Sequence, residues 1–146
     1  MNPVDFLELA DEWAGGIREA EWRSAVSRAY YAAFHVARRL LQQGGFIVPD
    51  GDQAHAYVWL RLSNAGHPDV RQAGLDLNQL RSMRNRADYD LDREFLQPLA
   101  FSQVQVADTV IDLLQALAAT PAILTQIIDA IKVYERDVLK QVTWQP

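Results

Sequence analysis

The chain contains no cysteine. This excludes disulfides, thiolate nucleophiles and cysteine-ligated zinc, and it fits a cytoplasmic setting. No apolar run approaches the ~18 residues that a membrane helix needs, so no span is expected. The first residues are acidic (Asp5, Glu8, Asp11, Glu12) where an export signal would be basic, and none is expected. Lysine is scarce, with two Lys against twelve Arg. Strand-like alternation, low-complexity stretches, internal repeats and a glycine-rich phosphate loop are all missing. His55 and His67 stand isolated, no pair of His or carboxylates has metal-ligand spacing, and neither a metal nor a cofactor is expected.

What remains is an ordinary globular composition, 49% hydrophobic and 23% charged over 146 residues, enough for one domain with a core. The net charge of −5 argues against broad non-specific nucleic-acid binding. The charge is uneven. Residues 1–16 carry four acids and no base, and residues 94–146 carry six acids and three bases. Residues 17–93 carry eleven arginines against nine acids. Arginine suits bidentate contacts with phosphate or carboxylate.

The hydrophobic periodicity predicts an all-α chain. A first helix starts at Asn2 as N-cap with Pro3 behind it and stops at Gly15-Gly16. A second runs from about residue 20 to 43 with two adjacent apolar stripes. One is Trp22, Val26, Ala29, Ala33, Val36, Leu40; the other is Tyr30, Phe34, Ala37, Leu41. A helix apolar on two faces belongs at the centre of a bundle or against a partner chain. Further helices are expected over about 53–64 and 68–88, followed by an extended connection from Tyr89 to Phe101. Ser102 and Gln105 then read as a capping box, with Phe101 and Val106 as a hydrophobic staple. A last helix from Pro121 to about 142 carries the stripe Leu124, Ile127, Ile131, Tyr134, Val138. Five to six helices with short loops make an antiparallel bundle over residues 1–120. Residues 121–146 are a helical extension packed on that bundle or swapped between bundles.

The segment Arg84-Asn85-Arg86-Ala87-Asp88-Tyr89 carries the most information. Ala73, Leu77, Leu80, Arg84 and Ala87 recur on one face of a helix, which places a guanidinium on an apolar stripe. That is costly unless the charge is paired. Arg84 is therefore salt-bridged inside the fold, with Asp88 one turn on, or aimed into a cleft or interface. Asp88 and Asp90 lie near a helix C-terminus, where negative charge is disfavoured, so Arg84, Arg86 or Arg28 should offset them. Arg28, Tyr31 and His35 share one face of the second helix. If the second and fourth helices pack together, this face adjoins Arg84 and Tyr89, and His35 can supply an imidazole. The aromatic set Trp22, Tyr30, Tyr31, Phe34, Tyr57 and Trp59 reads as core or dimer contact, and His67 as a helix-start residue.

Residues 24–35, Ser-Ala-Val-Ser-Arg-Ala-Tyr-Tyr-Ala-Ala-Phe-His, resemble the long helix of the small prokaryotic HEPN domains. Residues 80–89, Leu-Arg-Ser-Met-Arg-Asn-Arg-Ala-Asp-Tyr, resemble the segment with that family's Arg-x4-His motif. The similarity extends over roughly residues 4–118. It implies a helical bundle, a homodimer, and in ribonuclease members metal-independent RNA cleavage by attack of the 2′-hydroxyl on the adjacent phosphate. The motif arginine would stabilise the phosphorane and the histidine would move protons. Many members are toxins paired with a small nucleotidyltransferase antitoxin.

Tyrosine stands at position 89 where the motif histidine belongs. A phenol is about one part in a thousand ionised at pH 7, so Tyr89 is a poor base, though it can still donate a proton. The tyrosine modified in nucleotidylated toxins lies two residues past the motif, and here that position is Leu91. The resemblance thus implies a nucleotide- or RNA-associated component of a toxin–antitoxin or defence-type pair, with weak or no nuclease activity. Its site would hold Arg84 and Tyr89 as the catalytic pair and Arg28, Tyr31, His35, Asn85 and Asp88 as cleft or phosphate-binding residues. An active metal-independent endoribonuclease and a non-catalytic dimerisation module are the alternatives.

Overall fold

The computed structural model describes residues 1–145. The helices are α1 (Val4–Ala14), α2 (Glu19–Gln43), α3 (Gln53–Leu62), α4 (Pro68–Tyr89), α5 (Gln97–Ala118) and α6 (Pro121–Tyr134), which runs into a single π turn, Glu135–Leu139. The chain is an all-α bundle. Asn2 accepts the Val4 N–H through Oδ1 at 3.1 Å, which satisfies one of the free donors that open α1. His67 does the same for α4, its Nδ1 accepting from Asp69 N at 3.2 Å.

α2 is the central helix and packs against α1, α3, α4 and α5. Both of its apolar stripes are used: Val26, Ala29, Tyr30, Ala33, Phe34, Ala37, Leu40 and Leu41 are buried. The run of alanines lets neighbouring helices approach closely. On α4, Ala73, Leu77, Leu80 and Ala87 are buried as the periodicity predicts. Gly74 beside them serves a close approach to α3. A Cβ there would lie 2.6 Å from Ser63 N and 2.9 Å from Trp59 O.

Three local expectations are corrected. First, α5 begins at Gln97, not after Phe101, with Leu96 extended before it and Pro98 in its first turn. Proline is preorganised for that position, so it starts the helix. Ser102 and Gln105 therefore lie inside α5 and form no capping box, and Phe101 is exposed instead of stapled. Second, α3 ends at Leu62 and residues 63–66 turn into α4. Third, the last helix does not reach residue 142. It widens at Glu135–Leu139 and stops at Lys140 in the left-handed conformation, φ 57°. The wider turn carries Val138 off the stripe to 64% exposure and leaves Glu135 fully buried.

The cause of this break is a polar network. Glu135 Oε2 accepts from Arg61 Nε at 2.6 Å and from Thr143 Oγ1 at 2.6 Å, and its Oε1 accepts from Thr143 N at 2.9 Å. The Tyr57 hydroxyl joins Thr143 Oγ1 and Glu135. The tail then folds back so that Ile47 N donates to Thr143 O and Phe46 bridges Trp144. α6 turns through 104° relative to α5, and packs on α3 and α5 of its own chain. Among the described residues no single helix is long and apolar enough to cross a membrane.

Candidate functional site

The packing of α2 on α4 brings the two sequence segments together. Arg84 on α4 lies over the ring of Tyr31 on α2, with its guanidinium carbon 5.1 Å from the ring centroid, and over Tyr89 at 5.6 Å. Arg28 lies over Tyr31 at 5.0 Å and over Phe6 of α1 at 5.1 Å. Asp88 Oδ2 lies 2.9 Å from Arg84 Nε and accepts from Ser27 Oγ at 3.1 Å. Ser27 Oγ in turn accepts from Arg28 at 3.4 Å. His35, on the next turn of α2, stacks on Tyr31 at 6.2 Å and on Phe6 at 6.2 Å. Arg28, Tyr31, His35, Arg84, Asp88 and Tyr89 thus form one surface.

Arg84 is incompletely satisfied there. Its Nε is enclosed and the N–H misses Asp88, so the ion pair contributes charge proximity without a hydrogen bond. Its Nη1 donates to Asn85 Oδ1 at 3.1 Å, which is Asn85's role in the site. Among the described residues nothing accepts from Nη2, which is not enclosed. Tyr89 is 74% exposed at the end of the helix, beside the exposed Leu91.

Arg84 offsets Asp88 as expected, while the last carbonyls of α4 are met by a residue that the sequence did not single out. Arg23, almost wholly buried, donates from Nη1 to the carbonyls of Arg86 (3.3 Å), Ala87 (2.9 Å) and Asp90 (3.1 Å), and from Nη2 to Arg93 O. Its Nε donates to Glu19 at 2.8 Å. This cation satisfies the last carbonyls of the helix and complements its dipole.

His55, isolated in the sequence, also belongs to the site. It enters from α3 and packs on Phe34 (4.8 Å), Tyr30 (5.6 Å) and Tyr31 (6.2 Å). Its Nδ1 is hydrogen-bonded to the buried Tyr30 hydroxyl at 2.5 Å. Burial pushes the Tyr30 phenol far above its ordinary range, so it stays protonated. His55 is held below its ordinary pKa, first by burial and then by Arg81 and Arg84. His35 is lowered too, by burial and then by Arg38, Arg39 and Arg28. Both imidazoles are therefore neutral at pH 7. The only sequence signal for His55 was its place at the start of a short helix, which names no partner.

A groove of about 980 Å³ lies at the α3–α4 elbow between Trp59, His67 and Leu75, and none of the motif residues lines it. Among the described residues no three His, Asp or Glu side chains converge as metal ligands. Comparison with family models, curated proteins and solved structures gave no match.

Proposed function

We propose that the Arg84 surface binds the phosphate of RNA or a nucleotide, and that the chain is an RNA-associated, HEPN-like component of a toxin–antitoxin or defence-type pair with weak or no nuclease activity of its own. The observation that carries the binding reading is Arg84 itself. It is largely buried between two tyrosine rings, and its Nη2 is left open without an acceptor. A phosphate oxygen is the ligand atom we assign to that donor. Arg28 and Arg81 add positive charge close by, and the exposed face of Tyr89 offers a base-stacking surface, the combination used on single strands. The homodimer, the pairing with a nucleotidyltransferase and the defence role rest on the resemblance of residues 24–35 and 80–89.

The reading is tested with a fluorescently labelled single-stranded RNA pool and with ATP as competitor, in EDTA, using wild type, Arg84→Ala and Tyr89→Phe. Binding by wild type, lost in Arg84→Ala at an unchanged melting temperature, is the expected result. Binding equal in wild type and Arg84→Ala overturns it. A nucleotidyltransferase that co-purifies with the chain from its native cells supports the pairing, and a chain that purifies alone at physiological concentration counts against it.

A metal-independent ribonuclease is the second reading, favoured by the neutral His35 imidazole against Tyr31. It predicts cleavage products in the same EDTA assay, lost in Arg84→Ala.

A further inference from the structure

We infer that His55, through its Nε2–H, is a second phosphate-binding group of this surface, placed by the Tyr30 hydroxyl and packed, like Arg84, against Tyr31. The inference rests on the phosphate-binding reading above and adds a residue from α3 that belongs to neither sequence segment.

The Tyr30 hydroxyl is buried and its partner is His55 Nδ1. A phenol that keeps its proton must give it to an acceptor, and the imidazole nitrogen is the acceptor present. Nδ1 therefore carries the lone pair, and the imidazole proton sits on Nε2. Among the described residues no group accepts from Nε2, and that atom is not enclosed. The fold thus presents a neutral N–H donor in a fixed orientation, its ring locked by Tyr30, Tyr31 and Phe34. Arg84 Nη2, the other open donor, belongs to a guanidinium lying on the same Tyr31 ring. Two open donors on side chains that both contact Tyr31 suit a phosphate beside a stacked nucleobase.

The same tautomer has a consequence for chemistry. With its proton on Nε2, His55 can donate to a phosphate oxygen but has no lone pair there to take the proton of a 2′-hydroxyl. The surface binds the phosphate with His55 and does not use it as a base.

The charged and titratable groups around His55 are Tyr30, Tyr31 and His35 on α2, Arg81 and Arg84 on α4, and Asp52 before α3. Only Asp52 is an acid. A bound phosphate adds negative charge next to the imidazole and so opposes the lowering by burial, Arg81 and Arg84.

The test is RNA affinity by fluorescence polarisation for wild type, Arg84→Ala, His55→Phe and His55→Gln, with melting temperatures and a pH series from 5.5 to 8. His55→Phe keeps the ring and loses the donor, and is expected to weaken binding about tenfold. In His55→Gln the amide N–H can take the place of Nε2–H, so affinity returns to within about threefold of wild type. The rise in affinity below pH 7 is expected to flatten in both. ATP competing at the same site would assign it to a nucleotide, and failure to compete would assign it to RNA phosphates. Wild-type binding that Arg84→Ala abolishes and His55→Phe leaves intact, with the pH profile unchanged, overturns the role of His55 while the Arg84 reading stands. Wild type that binds neither RNA nor ATP overturns both.

Discussion

Breaking the Arg61–Glu135 pair should cost this protein more than any change in the candidate site. Both side chains are buried, Arg61 at 4% exposure and Glu135 at 0%, and their atoms meet at 2.6 Å. Glu135→Leu leaves a guanidinium inside the fold with only the Tyr57 carbonyl at 3.3 Å. Arg61→Met leaves a carboxylate with the Thr143 donors and Tyr57. Stranding one member of a buried pair costs about 3–5 kcal/mol. At roughly 3–5 °C per kcal/mol for a chain of this size, each single variant should melt about 10–20 °C lower. The double variant removes both charges. Its residual cost is the Thr143 N–H and one hydroxyl proton of the Tyr57–Thr143 pair left without Glu135, about 1–3 kcal/mol, since Thr143 is only part-buried. Thermal and urea melts followed by circular dichroism on all four proteins close the cycle. Single variants that melt within about 3 °C of wild type, or a double variant that loses the sum of the singles, refute this account of the pair.

Gly74→Ala should lower the melting temperature by several degrees, because its Cβ would press on the Ser63 and Trp59 backbone; a gain in stability would show that α3 can move away. Arg23→Met should destabilise by about 2–4 kcal/mol in a denaturant melt, since it removes the donors of four carbonyls that close α4. Arg84→Ala, in contrast, should change the melting temperature by less than about 3 °C, because a pair of this alignment on a partly exposed face is worth under about 1 kcal/mol. Stability should fall as pH drops below 6.5: His35 and His55 are depressed in the folded chain, so the unfolded state binds more protons there. The double variant His35→Gln, His55→Gln should lose less stability than wild type between pH 7.5 and 5.5, and an equal loss would refute the assignment.

The fold class and the order of helices were legible because α2 and α4 carry uninterrupted 3.6-residue stripes, and the stripe decides which face is buried whatever the neighbours are. Element ends were less legible where a distant residue sets them. The end of α6 depends on Glu135 meeting Arg61, 74 residues earlier, and no local signal near Glu135 announces an inward carboxylate. The start of α5 was legible in principle. Pro98 and the buried Ala100, Gln103, Val104 and Ala107 place Ser102 in mid-helix, and the capping-box pattern outweighed them wrongly. At the site, Arg28, Tyr31 and His35 could be grouped because they share a helix face. His55 and Arg23 could not, because their partners Tyr30 and the α4 carbonyls are set by packing between helices.

A comparison of three arginines bears on what Arg84 is for. Arg23 and Arg61 are buried, and the fold supplies them with acceptors: a carboxylate and four carbonyls for the first, a carboxylate and a carbonyl for the second. Arg23 is matched on Nε, Nη1 and Nη2, and Arg61 on Nε and Nη1, so both are held by directional bonds to the fold. Arg84 is nearly as enclosed, with 16% of its side chain exposed, yet it meets tyrosine faces, an off-line carboxylate and one asparagine. Ring faces hold a guanidinium in place without consuming its donors. A side chain oriented this way keeps hydrogen-bonding capacity for something outside the chain, whereas a purely structural arginine on the same stripe would gain from a second acceptor. The helix face around it has candidates for that role in Asp88 and Ser27, but these are turned toward each other. Under the reading proposed above, the open Nη2 of Arg84 is the donor an anionic ligand takes, and the comparison of wild type with Arg84→Ala in the RNA-binding assay decides between that reading and an internal ion-pair network.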